Sequence, residues 1–83
     1  MRDGEAGLSA MIETLVKGLV DRPDGVGVTQ RVRSDAIVVE LRVDPEDLGK
    51  VIGRQGRTAR ALRTLVGMAG EKIRKRAILQ ILE

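Results

Sequence analysis

Leu8, Met11, Ile12, Leu15, Val16, Leu19 and Val20 recur at helical spacing and predict an amphipathic helix over about residues 8–20. The polar, glycine-containing stretch 1–7 before it reads as a frayed start. Asp21-Arg22-Pro23-Asp24-Gly25 ends the helix, because proline cannot continue the hydrogen-bond ladder and Asp-Gly suits a turn. From Val26 the period changes to two. Val26, Val28 and Val32 fall on one side and Thr29, Arg31 and Arg33 on the other, the pattern of a half-buried strand. Ser34-Asp35 is a hairpin turn, and beyond it Ile37, Val39, Leu41 and Val43 alternate with Val38, Glu40 and Arg42. A second, antiparallel strand follows from that alternation.

At Asp44-Pro45-Glu46-Asp47 an N-cap acceptor precedes proline at the first helical position, with acids in a first turn whose dipole favours them. A short helix carrying Leu48, Val51 and Ile52 then meets Gly53-Arg54-Gln55-Gly56, and a new helical pattern starts at Arg57. Thr58, Leu62, Leu65, Val66 and Ala69 share one face of it, with Arg57, Arg60 and Arg63 opposite. Gly67 and Gly70 weaken its end. Arg74-Lys75-Arg76 leads into a strand over 77–83 that is apolar at nearly every position, which predicts a central or partner-contacting strand. The order is helix, strand, strand, helix, helix, strand, so the expected architecture is α+β, three helices on one face of a three-stranded sheet. Val38, Ile78 and Leu82 are then candidates for the other face of that sheet.

Composition narrows what such a domain can do. The 83 residues contain no cysteine and no histidine, so neither a disulfide nor a zinc site staples the fold, and packing or a partner chain must hold it together. Lack of cysteine suits a reducing compartment, there is no signal-peptide pattern, and no apolar run approaches the roughly 18 residues of a membrane span. The expected location is the cytoplasm. Without His or Cys, the usual acid–base, thiol and soft-metal chemistries are closed, so neither an enzyme nor a bound cofactor or metal is expected. Without Phe, Tyr or Trp, base stacking on aromatic rings is closed too.

Charge is distributed unevenly. Residues 50–76 hold nine Lys/Arg against one acid, Glu71, whereas residues 1–49 hold six basic and ten acidic side chains. A basic half of this kind suits a polyanion partner as well as solvated helix faces. The Gly-x-x-Gly spacing at 53–56 is weak by itself, since ten glycines produce such spacings by chance and a plain helix–helix turn explains it. Its setting adds weight. It lies between two predicted helices, follows the apolar Val51-Ile52, and is bracketed by Lys50, Arg54, Arg57 and Arg60. Two glycines let another backbone come close, unpaired N–H groups near 56–58 at the start of the next helix favour an anion, and the arginines offer charge-assisted bonds to phosphate. A Walker A loop or a dinucleotide fingerprint would follow a strand and carry a different spacing.

Leu48-Gly49-Lys50-Val51-Ile52-Gly53-Arg54-Gln55-Gly56-Arg57 resembles the Val-Ile-Gly-x-x-Gly signature of KH domains, and the element order resembles their type II arrangement. Leu19-Val20-Asp21-Arg22-Pro23-Asp24, Val39-Glu40-Leu41-Arg42-Val43 and Pro45-Glu46-Asp47-Leu48-Gly49-Lys50 are similar to the small bacterial KH-domain protein A family, so the resemblance covers residues 8–82. It implies a single KH domain over 8–83 that binds single-stranded RNA as a chaperone or post-transcriptional regulator. It also implies pairing, as a homodimer or with KH-domain protein B, and a link to cell-envelope and cell-length control. By position, Gly53, Arg54, Gln55 and Gly56 would hold the RNA backbone, Lys50, Arg57 and Arg60 would support them, and Ile52 and Leu48, with parts of Val39 or Leu41, would line an apolar groove under the bases. Other readings are a protein-interaction module or an accessory KH domain of a ribosomal protein or GTPase. A start at Met1 and an end just past the last strand favour a complete small protein over the accessory domain.

Overall fold

The computed structural model describes the backbone of residues 2–82 and the side chains of residues 7–82. The hairpin forms as the alternation predicts: β1 (Gly27–Arg33) and β2 (Ala36–Arg42) pair antiparallel from Gly27 opposite Arg42 to Arg33 opposite Ala36. Ser34 turns the chain with a left-handed φ of 46°. The final strand, β3 (Arg76–Ile81), lies parallel to β2, with Ala36 opposite Arg76 and Leu41 opposite Ile81. The sheet order is β1-β2-β3.

The expectation of a central last strand is therefore corrected: β3 is an edge. β2 takes the middle because its hairpin partner occupies one side and the chain returns parallel along the other. Its inward residues Ile37, Val39 and Leu41 are fully buried. On β3, by contrast, Ile78 stands on the face that no helix covers and is 39% exposed.

Helix α1 (Arg2–Lys17) begins six residues before the apolar periodicity does and stops earlier than predicted, where the Gly18 N–H bonds the carbonyls of Thr14 and Leu15. Leu8, Ile12 and Val16 form one i, i+4 row and are buried against the sheet. Leu15, predicted on the same stripe, belongs to the neighbouring row, and Leu19 lies beyond the end of the helix; both remain exposed. Short α2 (Leu48–Ile52) buries Val51, and α3 (Arg57–Lys72) buries Ala59, Leu62 and Val66. Leu65, expected in that face, is exposed for the same angular reason, and Thr58 is half-buried.

Gly70 lies inside α3, in its last turn. It is buried where the helix crosses the start of β3, and a Cβ there would lie 2.6 Å from the Lys75 carbonyl oxygen. The helix runs on to Lys72 and turns through Arg74, whose φ is 60°.

The core joins Leu8, Ile12 and Val16 of α1 to Ile37, Val39 and Leu41 of β2 and to Val43, Val51, Leu62, Val66 and Leu79, while Ser9 donates a hydrogen bond to Gln30 Oε1 across α1 and β1. Asp47 is the one buried charged side chain among the described residues. Its carboxylate accepts the backbone N–H groups of Asp21 at 3.2 Å and Arg22 at 2.9 Å, fastening the chain after α1 to the entry of α2. Among the described residues no helix is long and apolar enough to cross a membrane.

Candidate nucleic-acid interface

The entry to the loop is fixed from its N-terminal side. Asp44 accepts the Glu46 N–H at 2.9 Å, Pro45–Asp47 makes a 3₁₀ turn, and α2 follows directly. At its far end the Gly53 N–H closes on the Gly49 carbonyl at 2.8 Å, and Gly53 itself adopts φ 78°, ψ 171°. That region is essentially open to glycine alone. Space demands glycine as well, because a Cβ on Gly53 would lie 2.9 Å from the Thr58 nitrogen and closer still to the Thr58 side chain. Arg54–Gly56 then makes a second 3₁₀ turn with Gln55 (φ 57°, ψ 27°) and Gly56 (φ 74°, ψ 14°) both left-handed.

This geometry changes which N–H groups the loop offers. Of the donors at 56–58 expected to be free, Gly56 bonds the Gly53 carbonyl at 3.1 Å and Arg57 bonds that of Arg54. The tight turn uses them internally. Arg54 and Gln55, the first residues of the 3₁₀ turn, have no N–H acceptor within that turn, which places the candidate donors on the loop rather than on the helix end.

The predicted cations differ in what they touch. Arg54, Arg57, Arg60 and Arg63 are exposed. Arg57 Nη2 lies 3.5 Å from Gln55 Oε1, and Arg60 Nη2 donates to the Gln55 carbonyl oxygen at 2.6 Å. Lys50 is exposed and pairs with Asp21 at 3.1 Å. An exposed pair of this kind contributes about 0–1 kcal/mol, so a phosphate competes with Asp21 readily.

Beside the turn runs a groove of about 360 Å³. Leu48, Ile52, Ala59 and Ile81 give it aliphatic surface, and Gly56, Arg60 and Arg63 border it. Leu48 and Ile52 sit where the sequence places them. Val39 and Leu41 do not: both are fully buried, since β2 is central and the helices cover its inner face. The edge strand supplies Ile81 in their place. Ile81 and Arg63 were missed; Arg63 was legible as the third residue of the 57, 60, 63 arginine row, whereas Ile81 depended on knowing which strand is the edge. A second concavity at the α3–β3 turn is bordered by Arg74, Lys75 and Arg76 together with Glu71.

Such a site can admit a polymer backbone against the glycines, place charge beside its phosphates and cover an apolar surface with bases. It brings together no acid–base pair, and among the described residues no cluster of three or more His, Cys, Asp or Glu is placed to hold a metal ion.

Residues 9–81 match the family model described as KhpA/KhpB, KH domain. A protein named RNA-binding protein KhpA from Aquifex aeolicus is 54% identical over 76 residues, covering 92% of this chain and 96% of that protein. Its namesake from Caldanaerobacter subterraneus subsp. tengcongensis is 48% identical over 75 residues, 90% of this chain and 100% of that protein. The one from Streptomyces coelicolor is 60% identical over 63 residues, 76% and 80% of the two chains. No solved structure matches at a comparable level of significance. With a Gly-x-x-Gly turn between two helices, a mixed three-stranded sheet and identities of this size over most of its length, the chain belongs to the KhpA/KhpB family of KH domains, which is not a family of enzymes.

Proposed function

We propose that the chain binds single-stranded RNA, with the Gly53-Arg54-Gln55-Gly56 turn as a clamp on the sugar–phosphate backbone. The observation that carries this is the turn itself: two glycines at positive φ, N–H groups of Arg54 and Gln55 with no acceptor inside the turn, and the exposed arginines 54 and 57 beside them. Lys50 joins once it leaves Asp21, Ile52 with Leu48 supports the bases, and Arg60 belongs to the set through the carbonyl it holds. The names of the relatives supply RNA as the polyanion. Without aromatic rings, affinity rests on phosphate contacts and sequence preference on the aliphatic groove.

If about three phosphates are neutralised, log affinity for fluorescent oligouridylate falls with log salt at a slope of roughly −2. Arg54→Asp combined with Gln55→Asp abolishes binding in anisotropy titrations while the circular dichroism spectrum stays native. Wild-type affinity in that folded variant would overturn the clamp.

Such a protein acts in the cytoplasm as an RNA chaperone or post-transcriptional regulator, paired with itself or with a second KH protein, and affects envelope and cell-length control through the transcripts it holds. One observation favours a protein-interaction role alongside. Met11, Leu65, Met68 and Ala69 border an apolar concavity on the α1–α3 side, with Leu65 39% and Met68 60% exposed. Sedimentation across a concentration series tests pairing through that side, and a strict monomer with full RNA affinity and no KH partner counts against it.

A further inference from the structure

Arg60 stands out among the arginines of α3 because its guanidinium bonds the backbone of the loop. Nη2 donates to the Gln55 carbonyl oxygen at 2.6 Å, a short, charge-assisted bond. Helical side chains lean toward the N-terminus of their helix, which carries Arg60, one turn into α3, back over the loop that precedes it. What it holds there is strained. Gln55 is a non-glycine residue at φ 57°, and Gly56 follows at φ 74°, two consecutive left-handed residues without a side-chain cap. The Gln55 carbonyl is also a negative dipole on the turn that is to hold phosphate, and the guanidinium covers it.

We propose that Arg60 is a positioning residue: it acts on RNA by fixing the left-handed Gln55 carbonyl, and so the shape of the clamp, rather than by contributing a phosphate contact. This rests on the clamp reading above and adds a division of labour to it. Arg54, whose side chain makes no bond to the loop backbone among the described residues, supplies charge to the ligand, while Arg60 supplies geometry. Gln55 has two holders, Arg60 on its carbonyl and Arg57 near its side-chain amide at 3.5 Å, and the shorter one fixes the backbone.

Phosphate contact and positioning separate cleanly in their salt dependence. Removing a cation that touches phosphate lowers the salt slope by about 0.7 for a single strand, whereas removing one that only shapes the site weakens binding at every salt concentration with the slope unchanged. The experiment compares wild type, Arg60→Ala, Arg54→Ala and the double variant Arg60→Ala with Gln55→Gly, using oligouridylate anisotropy over a salt series. The backbone amide resonances of residues 53–57 are recorded in the RNA-free proteins.

Arg60→Ala is expected to bind about tenfold more weakly with an unchanged slope, and Arg54→Ala to lose about 0.7 of slope. Gln55→Gly, which relieves the left-handed cost, is expected to restore most of the affinity of Arg60→Ala. In the free protein, Arg60→Ala is expected to shift and broaden the Gln55 and Gly56 amides. The proposal is overturned by a slope loss in Arg60→Ala equal to that of Arg54→Ala, by no rescue from Gln55→Gly, or by loop resonances identical to wild type. If wild type binds no single-stranded RNA, the clamp reading fails, and the RNA-free spectra still decide whether Arg60 fixes the loop.

Discussion

Replacing Asp47 by alanine removes the acceptor of two backbone N–H groups at once, those of Asp21 and Arg22, at a carboxylate that is 1% exposed. A hydrogen bond to a charged acceptor contributes about 1.5–3 kcal/mol. Asp21 and Arg22 lie at the surface, so their N–H groups recover part of that from water, and the net loss is about 2–3 kcal/mol. In a domain of this size that is about 8–24 °C in Tm. Asp47→Asn keeps one acceptor oxygen but turns an amide N–H toward the second donor, which places it between wild type and alanine, at about 1–2 kcal/mol. Urea denaturation followed by far-ultraviolet circular dichroism, with the m-value held constant, measures both. An Asp47→Ala variant within about 0.5 kcal/mol of wild type would refute the claim that this carboxylate fastens the α1 exit to α2.

Three further outcomes follow from the packing. Gly53→Ala combines a backbone region reserved for glycine with a collision on Thr58; it should cost about 1–3 kcal/mol in urea melts and weaken oligouridylate binding at least about tenfold. Leu41→Ala, at a fully buried position of the central strand, should cost about 2–5 kcal/mol, while Leu65→Ala on the same scale should stay within about 0.5 kcal/mol because it is exposed. Gly70→Ala should destabilise by about 1–3 kcal/mol despite its better helix propensity, since the added methyl meets the Lys75 carbonyl, and a rise in Tm would show that the crossing is looser than 2.6 Å.

The elements themselves were legible because each carries its own local signal. Alternation at Ile37, Val39 and Leu41 marked β2, Asp44-Pro45 marked the start of the α2 turn, and the arginine row marked the outer side of α3. What the sequence concealed depended on neighbours distant along the chain. An apolar run such as 77–82 reads as a central or partner-contacting strand, and only the parallel return beside β2 shows that it is an edge. Asp47 looked like one more acid in a helix's first turn, whereas its carboxylate turns back to residues 21–22. In the loop, the glycines predicted close approach, but the left-handed Gln55 between them had no sequence signal, and the internal use of the Gly56 and Arg57 N–H groups went with it. Side chains assigned to the groove from β2 belonged to the core because the helices cover that strand.

The parallel pairing of β2 and β3 also sets the order in which the molecule can assemble. The clamp lies inside the connection, residues 43–75, that must fold back before the two strands meet, and the groove beside it draws Ile81 from the last strand. A nascent chain can close the β1–β2 hairpin as soon as Arg42 is available, but the groove has no far wall until β3 docks. Closing so long a loop is the slow step of such a topology. During synthesis, therefore, the arginines emerge before the groove beside them is complete, and the proposed RNA site is finished only with the final strand.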